Sequence, residues 1–260
     1  VAASLEPPMT LENQRRLVEH LRPTAQGLVI AEVRIGLGYT AVQLSSGPAG
    51  VAWTPASGAR GCTHFQGAGT LAGQPAERVL EHLLDPAAHL PRALGLATAN
   101  ALLASLPLPP SVRGDVLAAL DLGPTDRVAM VGYFGPLVTG IRAIGCRLDI
   151  LELEPHPGET LTPEQGRSAL AQCDVALITG TSLINGTCDD LLAALGRPRA
   201  AVLLGPSTPL CPAVFRDTPV THLAGARVRA PEDVLRVVSE GGGTMLLKRH
   251  MDFETAPVSR

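Results

Sequence analysis

VALITGTSLINGT, Val175 to Thr187, is the stretch on which the fold turns. Val175 to Ile178 is an apolar run bounded by turn residues, the pattern of a strand buried on both faces in a parallel sheet. It runs into Thr179-Gly180-Thr181-Ser182-Leu183-Ile184-Asn185-Gly186-Thr187, after which Cys188-Asp189-Asp190 opens a helix that Gly196 ends. Thr187 is the expected cap of that helix. Capping uses one hydroxyl. The others, Thr179, Thr181 and Ser182, with the Asn185 amide and the freely turning Gly180, form a loop suited to a carboxylate or phosphate group.

The same rhythm extends on both sides. Upstream, Arg127 to Val131 is a short strand, Pro136 sits in the first turn of a helix that Gly145 stops, and Arg147 to Leu153 is the next strand. Thr162-Pro163-Glu164-Gln165 is a capping-box sequence. Downstream come strands at Ala201 to Leu204 and Val220 to Leu223, a helix from Pro231 to Gly241, and a final strand at Thr244 to Leu247. Apolar strands alternating with capped helices predict an α/β domain, a Rossmann-like doubly wound, mostly parallel sheet. Ligands on such sheets lie beyond the carboxyl ends of the strands.

The amino-terminal part has a different rhythm. A helix from Thr10 to about Arg22, with Thr10 as its cap, precedes three β-like runs: Leu28 to Leu37, Tyr39 to Ser45 and Gly50 to Thr54. Helices follow at Pro75 to Leu84 and Pro91 to Ser105. This is a small α+β domain, and PLPPSV is the connection after it. The expected domains are therefore 1–108 and 109–260.

Composition excludes several classes. Of the 260 residues, 45% are hydrophobic and 17% charged, which no disordered chain shows. The net charge of −3 leaves no basic excess for nucleic-acid backbones. Apolar runs stay far short of the ~20 residues that span a membrane. No basic stretch followed by an apolar core appears at the amino terminus, and the five cysteines contain no CxxC pair, so the expected compartment is the cytoplasm. The expected partner is a small molecule, with neither nucleic acid nor membrane, and a homodimer is compatible with this composition.

Chemistry concentrates at the strand ends. Gly132-Tyr133-Phe134-Gly135 follows the first strand of the second domain and opens a helix, but it lacks the full dinucleotide fingerprint. Tyr133 and Phe134 are suited to pack on the organic part of a ligand. Glu152 and Glu154, two apart on the next strand, share a face and can accept from ligand hydroxyls. With no activated nucleophile in the chain, Glu152 or His156 is the expected proton carrier. Gly205-Pro206-Ser207-Thr208 repeats the hydroxyl-and-glycine chemistry after the fourth strand, so Gly205, Ser207 and Thr208 are expected to share one crevice with Thr179 to Thr187. Tyr39 lies in a hairpin-like turn and Asn100 is a polar residue on an apolar helix. Cys62 and His64, two apart in a glycine-rich loop, are weak metal-ligand candidates that Cys188, Cys211 and His156 would have to complete. GxSxG, HExxH and the phosphate-cradling GxxxxGK[ST] are absent.

Together RIGLGYTAVQLSSGPAGVAW, LGLATANALL, MVGYFGPLV, ELEPHPG, LITGTSLINGT, LLGPSTPLCP and SEGGGT resemble the "putative heavy-metal-chelation" family of prokaryotic proteins, over nearly the whole chain. The resemblance implies an enolase-N-terminal-like domain followed by a Rossmann-like domain similar to methyltransferases, with a site where the two meet. It implies condensation or hydrolysis of small molecules related to pterins, flavins or siderophores, in connection with chelation of a divalent heavy metal. The alternatives are a non-catalytic metal- or metallophore-binding protein and a nucleotide- or S-adenosylmethionine-dependent enzyme. The last would need an acidic glycine-rich loop, and no acid precedes Val131-Gly132.

Overall fold

A computed structural model describes residues 10–55, 65–114, 116–152 and 160–259. The first helix, α1 (Glu12–Ala25), leads into a meander of β1 (Ile30–Ile35), β2 (Tyr39–Leu44) and β3 (Ala49–Trp53), antiparallel and in that spatial order. Then come α2 (Ala76–Leu80), extended by a 3₁₀ turn at Glu81–Leu84, and α3 (His89–Ala104). Leu17, Leu21, Val42, Leu44, Leu94 and Leu102 share one core between α1, the meander and α3.

Beyond β4 (Val112–Arg113) and α4 (Val116–Leu120) the alternating part begins. It runs β5 (Arg127–Val131), α5 (Gly135–Ile144), β6 (Arg147–Leu151), α6 (Pro163–Gln172), β7 (Val175–Thr179), α7 (Ser182–Asn185), α8 (Cys188–Ala193) and β8 (Ala200–Leu204). It continues with α9 (Pro212–Phe215), β9 (His222–Val228), α10 (Pro231–Ser239), α11 (Thr244–Leu247) and β10 (Met251–Pro257). The α6 capping box forms as its sequence predicts: Gln165 N–H donates to Thr162 Oγ1 at 3.3 Å and Thr162 N–H donates to Gln165 Oε1 at 3.0 Å.

The second sheet has the order β4-β10-β9-β8-β7-β5-β6. Strands β5 to β9 are mutually parallel, whereas β10 runs antiparallel to β9 and β4 antiparallel to β10. Counted in chain order, the five parallel strands stand second, first, third, fourth, fifth, so chain direction across the sheet reverses between β5 and β7. One face packs against α4 and α5 through Val116, Val138 and Ile141. The other merges with the amino-terminal core through Leu183, Ile184, Val214 and Phe215.

Four local expectations are corrected. Thr244 to Leu247 is a helix, because Met and Leu are good helix formers and Leu247 N–H returns to Gly243 O at 3.1 Å. The last strand is β10, whose Asp252 and Glu254 disguise it. The strand expected at Val220 to Leu223 starts at His222 and runs to Val228, through a glycine that reads as a stop. Neither Thr10 nor Thr187 caps a helix with its side chain: the cap residue of α1 is Leu11, and Thr187 makes no capping bond. Glu154, His156, Cys62 and His64 lie outside the described residues.

Candidate functional site

The reversal between β5 and β7 is where helices leave opposite faces of the sheet and the loops part. Gly132 ends β5 with φ +93°, a conformation that favours glycine. Its N–H donates to Leu151 O at 2.9 Å, which places Glu152, half-buried, beside it at the tip of β6. On its other side a Cβ at Gly132 would stand 3.0 Å from Thr179 Cβ and 3.2 Å from Phe134 Cε2. The Phe134 ring also reaches across to Gly205, whose Cβ position lies 3.6 Å from Phe134 Cε1. One half-buried aromatic ring therefore spans the ends of β5, β7 and β8. Tyr133 beside it is 42% exposed, and its ring edge lies over Gly135 at the start of α5.

The hydroxyls of Thr179 and Thr181 stand 3.0 Å apart and the Thr181 N–H donates to Thr179 Oγ1 at 3.3 Å. Both residues are half-buried. The backbone folds tightly over them: Ile184 and Asn185 N–H groups return to Thr181 O at 2.9 and 3.0 Å. Asn185 and Thr187, also half-buried, follow at the end of this turn.

Other selected residues are drawn away from solvent. Gly180 N–H donates to Leu204 O at 2.8 Å, and a Cβ there would stand 2.8 Å from the Thr208 nitrogen. Ser207 Oγ accepts the Trp53 N–H at 2.9 Å, and Ser207 O accepts from Asn100 Nδ2 at 3.3 Å. Asn100 Nδ2 also donates to Val51 O at 2.9 Å. The Gly205–Thr208 turn is thus a joint that fastens β3 and α3 to the large sheet. Thr208 Oγ1 is buried there without a hydrogen-bond partner. Ser182 is buried with its hydroxyl toward the Cys188 thiol. Tyr39 sits apart, buried among Val234, Leu235 and Val238, and its phenol lies 2.7 Å from Thr244 Oγ1; burial pushes its pKa up.

The two described cysteine candidates are buried. Burial pushes the Cys188 thiol up to about 12 and the Cys211 thiol up to about 11, whereas a metal takes the thiolate. Among the described residues no group of three or more His, Cys, Asp or Glu is placed to hold an ion. No helix among them is long and apolar enough to cross a membrane.

Two residues that join the amino-terminal helices to α7 escaped the sequence reading. Arg92 is fully buried in α3, with Nε donating to Ile184 O at 2.5 Å and Nη1 to Asp85 O at 2.6 Å. Gln14, also buried, donates to Leu183 O at 2.9 Å. Both satisfy carbonyls at the end of α7, which a four-residue helix cannot pair internally. Arg92 was findable: it stands one helical turn before Leu96 as the one arginine of a mostly apolar helix.

A family model described as "Putative heavy-metal chelation" matches residues 115–256, and a second model of the same description matches residues 18–103. An uncharacterized protein of Methanocaldococcus jannaschii is 26% identical over 163 residues, covering 60% of this chain. The chain spans 62% of that relative's length. A crystal structure of a protein of unknown function from Pyrococcus horikoshii superposes with a TM-score of 0.82 at 21% identity, covering 95% of this chain and all of the other. One from Desulfitobacterium hafniense gives 0.74 at 20% identity, covering 92% and 98%. At such identities the likeness is one of fold.

Proposed function

The chain belongs to the family described as putative heavy-metal chelation, and from that premise we propose that the crevice between the β5 and β7 loops binds a small anionic metabolite of the pterin, flavin-precursor or siderophore type. The observation that carries this reading is the Phe134 ring, laid across Gly132 and Gly205 beside the Thr179–Thr181 hydroxyl pair at the point where the sheet reverses. The ring and the neighbouring Tyr133 offer an aromatic surface to a flat heterocycle or catechol. The two hydroxyls offer hydrogen bonds to its polar edge. Glu152 stands at the rim as an acceptor, and as the proton carrier where the ligand is condensed or hydrolysed. In this reading the heavy metal is cargo of the ligand.

Calorimetric titration of the wild type with pterins, flavin precursors, and metal-free and metal-loaded siderophore fragments tests it. One class is expected to bind. Phe134→Ala should weaken that class about tenfold, the size of an aromatic contact plus lost burial. Thr179→Val should cost roughly fivefold, one net hydrogen bond. Silence from every class, or equal binding by both variants, rejects the reading.

A further inference from the structure

Among the described residues five buried side-chain polar atoms have no hydrogen-bond partner: Asn13 Oδ1, Gln14 Oε1, Arg92 Nη2, Ser182 Oγ and Thr208 Oγ1. All border one short segment. Ser182 belongs to α7, Gln14 and Arg92 bond its last carbonyls, Asn13 bonds Asp189 just after it, and Thr208 packs on Gly180 just before it. Elsewhere among the described residues the buried side-chain nitrogens and oxygens have partners, as folding demands.

Arg92 is the most telling of the five. Arg92 is fully buried, and its two hydrogen bonds go to backbone carbonyls. Asp85, the nearby acid, turns its carboxylate to the Ala87 and Ala88 N–H groups at 2.9 and 2.8 Å and meets Arg92 through its backbone oxygen. The Asp85 charge acts on the buried guanidinium from a distance, but no carboxylate is hydrogen-bonded to it, so the ion pair is incomplete. One arm of its fork, Nη2, is shut off from solvent and has no hydrogen-bond partner. Arg is the residue whose planar fork matches a carboxylate or phosphate.

We propose that Arg92 is an anion-binding residue, and that the seam between α3 and α7 takes a carboxylate or phosphate group, which completes its guanidinium. Ser182 belongs to α7 with its hydroxyl toward the Cys188 thiol, and Thr208 packs on Gly180 just before that helix. Asn13 Oδ1 and Gln14 Oε1 are acceptors and belong to α1, so the anion's place is on the α3 side. Entry exchanges the neutral Ile184 carbonyl for a charged acceptor whose two oxygens match the guanidinium fork. No covalent step is involved. The site adjoins the turn that begins at Thr179, and the inference leans on the proposed crevice only for the identity of the organic molecule that carries the anionic group.

The test uses inorganic phosphate and acetate as probes, titrated at low millimolar concentration against sodium chloride at constant ionic strength, with the thermal midpoint as readout. Wild type should rise by a few degrees with at least one probe, and which one responds separates phosphate from carboxylate. Arg92→Gln, which can still donate to Ile184 O, should not respond. Arg92→Lys keeps the charge without the fork and should need about tenfold more probe for half the effect. A wild type indifferent to both probes, or an Arg92→Gln protein that responds like wild type, overturns the inference. Should Arg92→Gln not fold, an Arg92→Lys half-effect concentration equal to wild type overturns it instead. An Arg92-dependent response with no organic ligand found leaves this inference standing and removes the crevice reading. An organic ligand bound alike by wild type and Arg92→Gln does the reverse.

Discussion

The carboxylate of Asp189 accepts the backbone N–H of Glu12 at 2.6 Å and that of Asn13 at 3.3 Å, so the first helix of the chain is capped by a residue in the first turn of α8. Asn13 Nδ2 adds a third bond to the same carboxylate. The traffic runs both ways, because Gln14 and Arg92 close the carbonyl end of α7. The β7–α8 connection and the amino-terminal helices therefore finish each other's hydrogen bonding, and neither end is complete alone.

Asp189→Ala should destabilise the protein by roughly 1–2 kcal/mol, the cost of an N-cap together with a negative charge at a helix amino terminus. Thr10→Ala, at the position that the sequence alone offers as the cap, should change stability by less than about 0.5 kcal/mol, as for a surface site. Urea unfolding of both variants checks the pair. An equal loss from both would mean that the long-range cap carries nothing.

The joint at Ser207 makes a second case. Ser207→Ala removes the acceptor of the Trp53 N–H and leaves that donor orphaned, which should cost about 1–3 kcal/mol. Asn100→Leu removes the bonds to Val51 O and Ser207 O and should cost a similar amount. Because both contacts fasten the same Gly205–Thr208 turn, which one loss already loosens, the double variant should lose less than the two single losses together. Additive losses in denaturant titrations would show that the two contacts act separately.

These residues also mark where sequence reading stops. The strands β5, β7 and β8 and the α6 capping box are legible because their signals are local: an apolar run, a proline in the first turn, Thr and Gln three apart. From strand ends alone the loops after β5, β7 and β8 are placed on one edge of the sheet, which is where Phe134, Thr179 and Gly205 meet. The sequence cannot say which loop the amino-terminal part covers. Ser207 and Thr208 share the composition of Thr179 and Thr181, yet the former are buried under β3 and α3 and the latter stay half-exposed. The difference is made by Trp53 and Asn100, more than a hundred residues upstream. β10 is hidden for another reason: it lies between β9 and the two-residue edge strand β4, where Glu254 is buried because Arg113 Nε reaches it at 2.8 Å and Ser111 Oγ at 2.9 Å.

Gly180 tests the closeness of the β7 and β8 turns. A methyl group there meets the Thr208 backbone nitrogen at 2.8 Å, and backbone cannot swing aside as a side-chain tip does. Gly180→Ala should therefore cost roughly 1–3 kcal/mol, the usual penalty for overpacking. Gly123→Ala, where the nearest atom is an Asp126 side-chain oxygen at 3.9 Å, is the control and should be close to neutral. Thermal denaturation distinguishes them; a Gly180→Ala protein as stable as the control would mean that the two turns separate readily.

The buried thiols give the protein an alkaline limit. Burial raises Cys188 to about 12, and Cys173 and Cys211 to about 11, against roughly 8.5 in an unfolded chain. Below that unfolded value the thiols are protonated in both states and the folded state keeps its full stability. As pH climbs from there toward the folded values, the unfolded chain releases protons that the folded chain retains, and stability falls. Unfolding free energy should thus decline from about pH 8.5 upward, and a Cys188→Ala variant should decline less steeply. The same protonated, enclosed state predicts that these thiols resist a disulfide reagent at pH 8 until denaturant is added. It also predicts that zinc or nickel bound to the purified chain keeps its stoichiometry in a Cys188→Ala, Cys211→Ala double variant, measured by elemental analysis. Metal lost with these two cysteines, or native-state labelling at the rate of an unfolded thiol, would place them in an open, ionised setting that their packing contradicts.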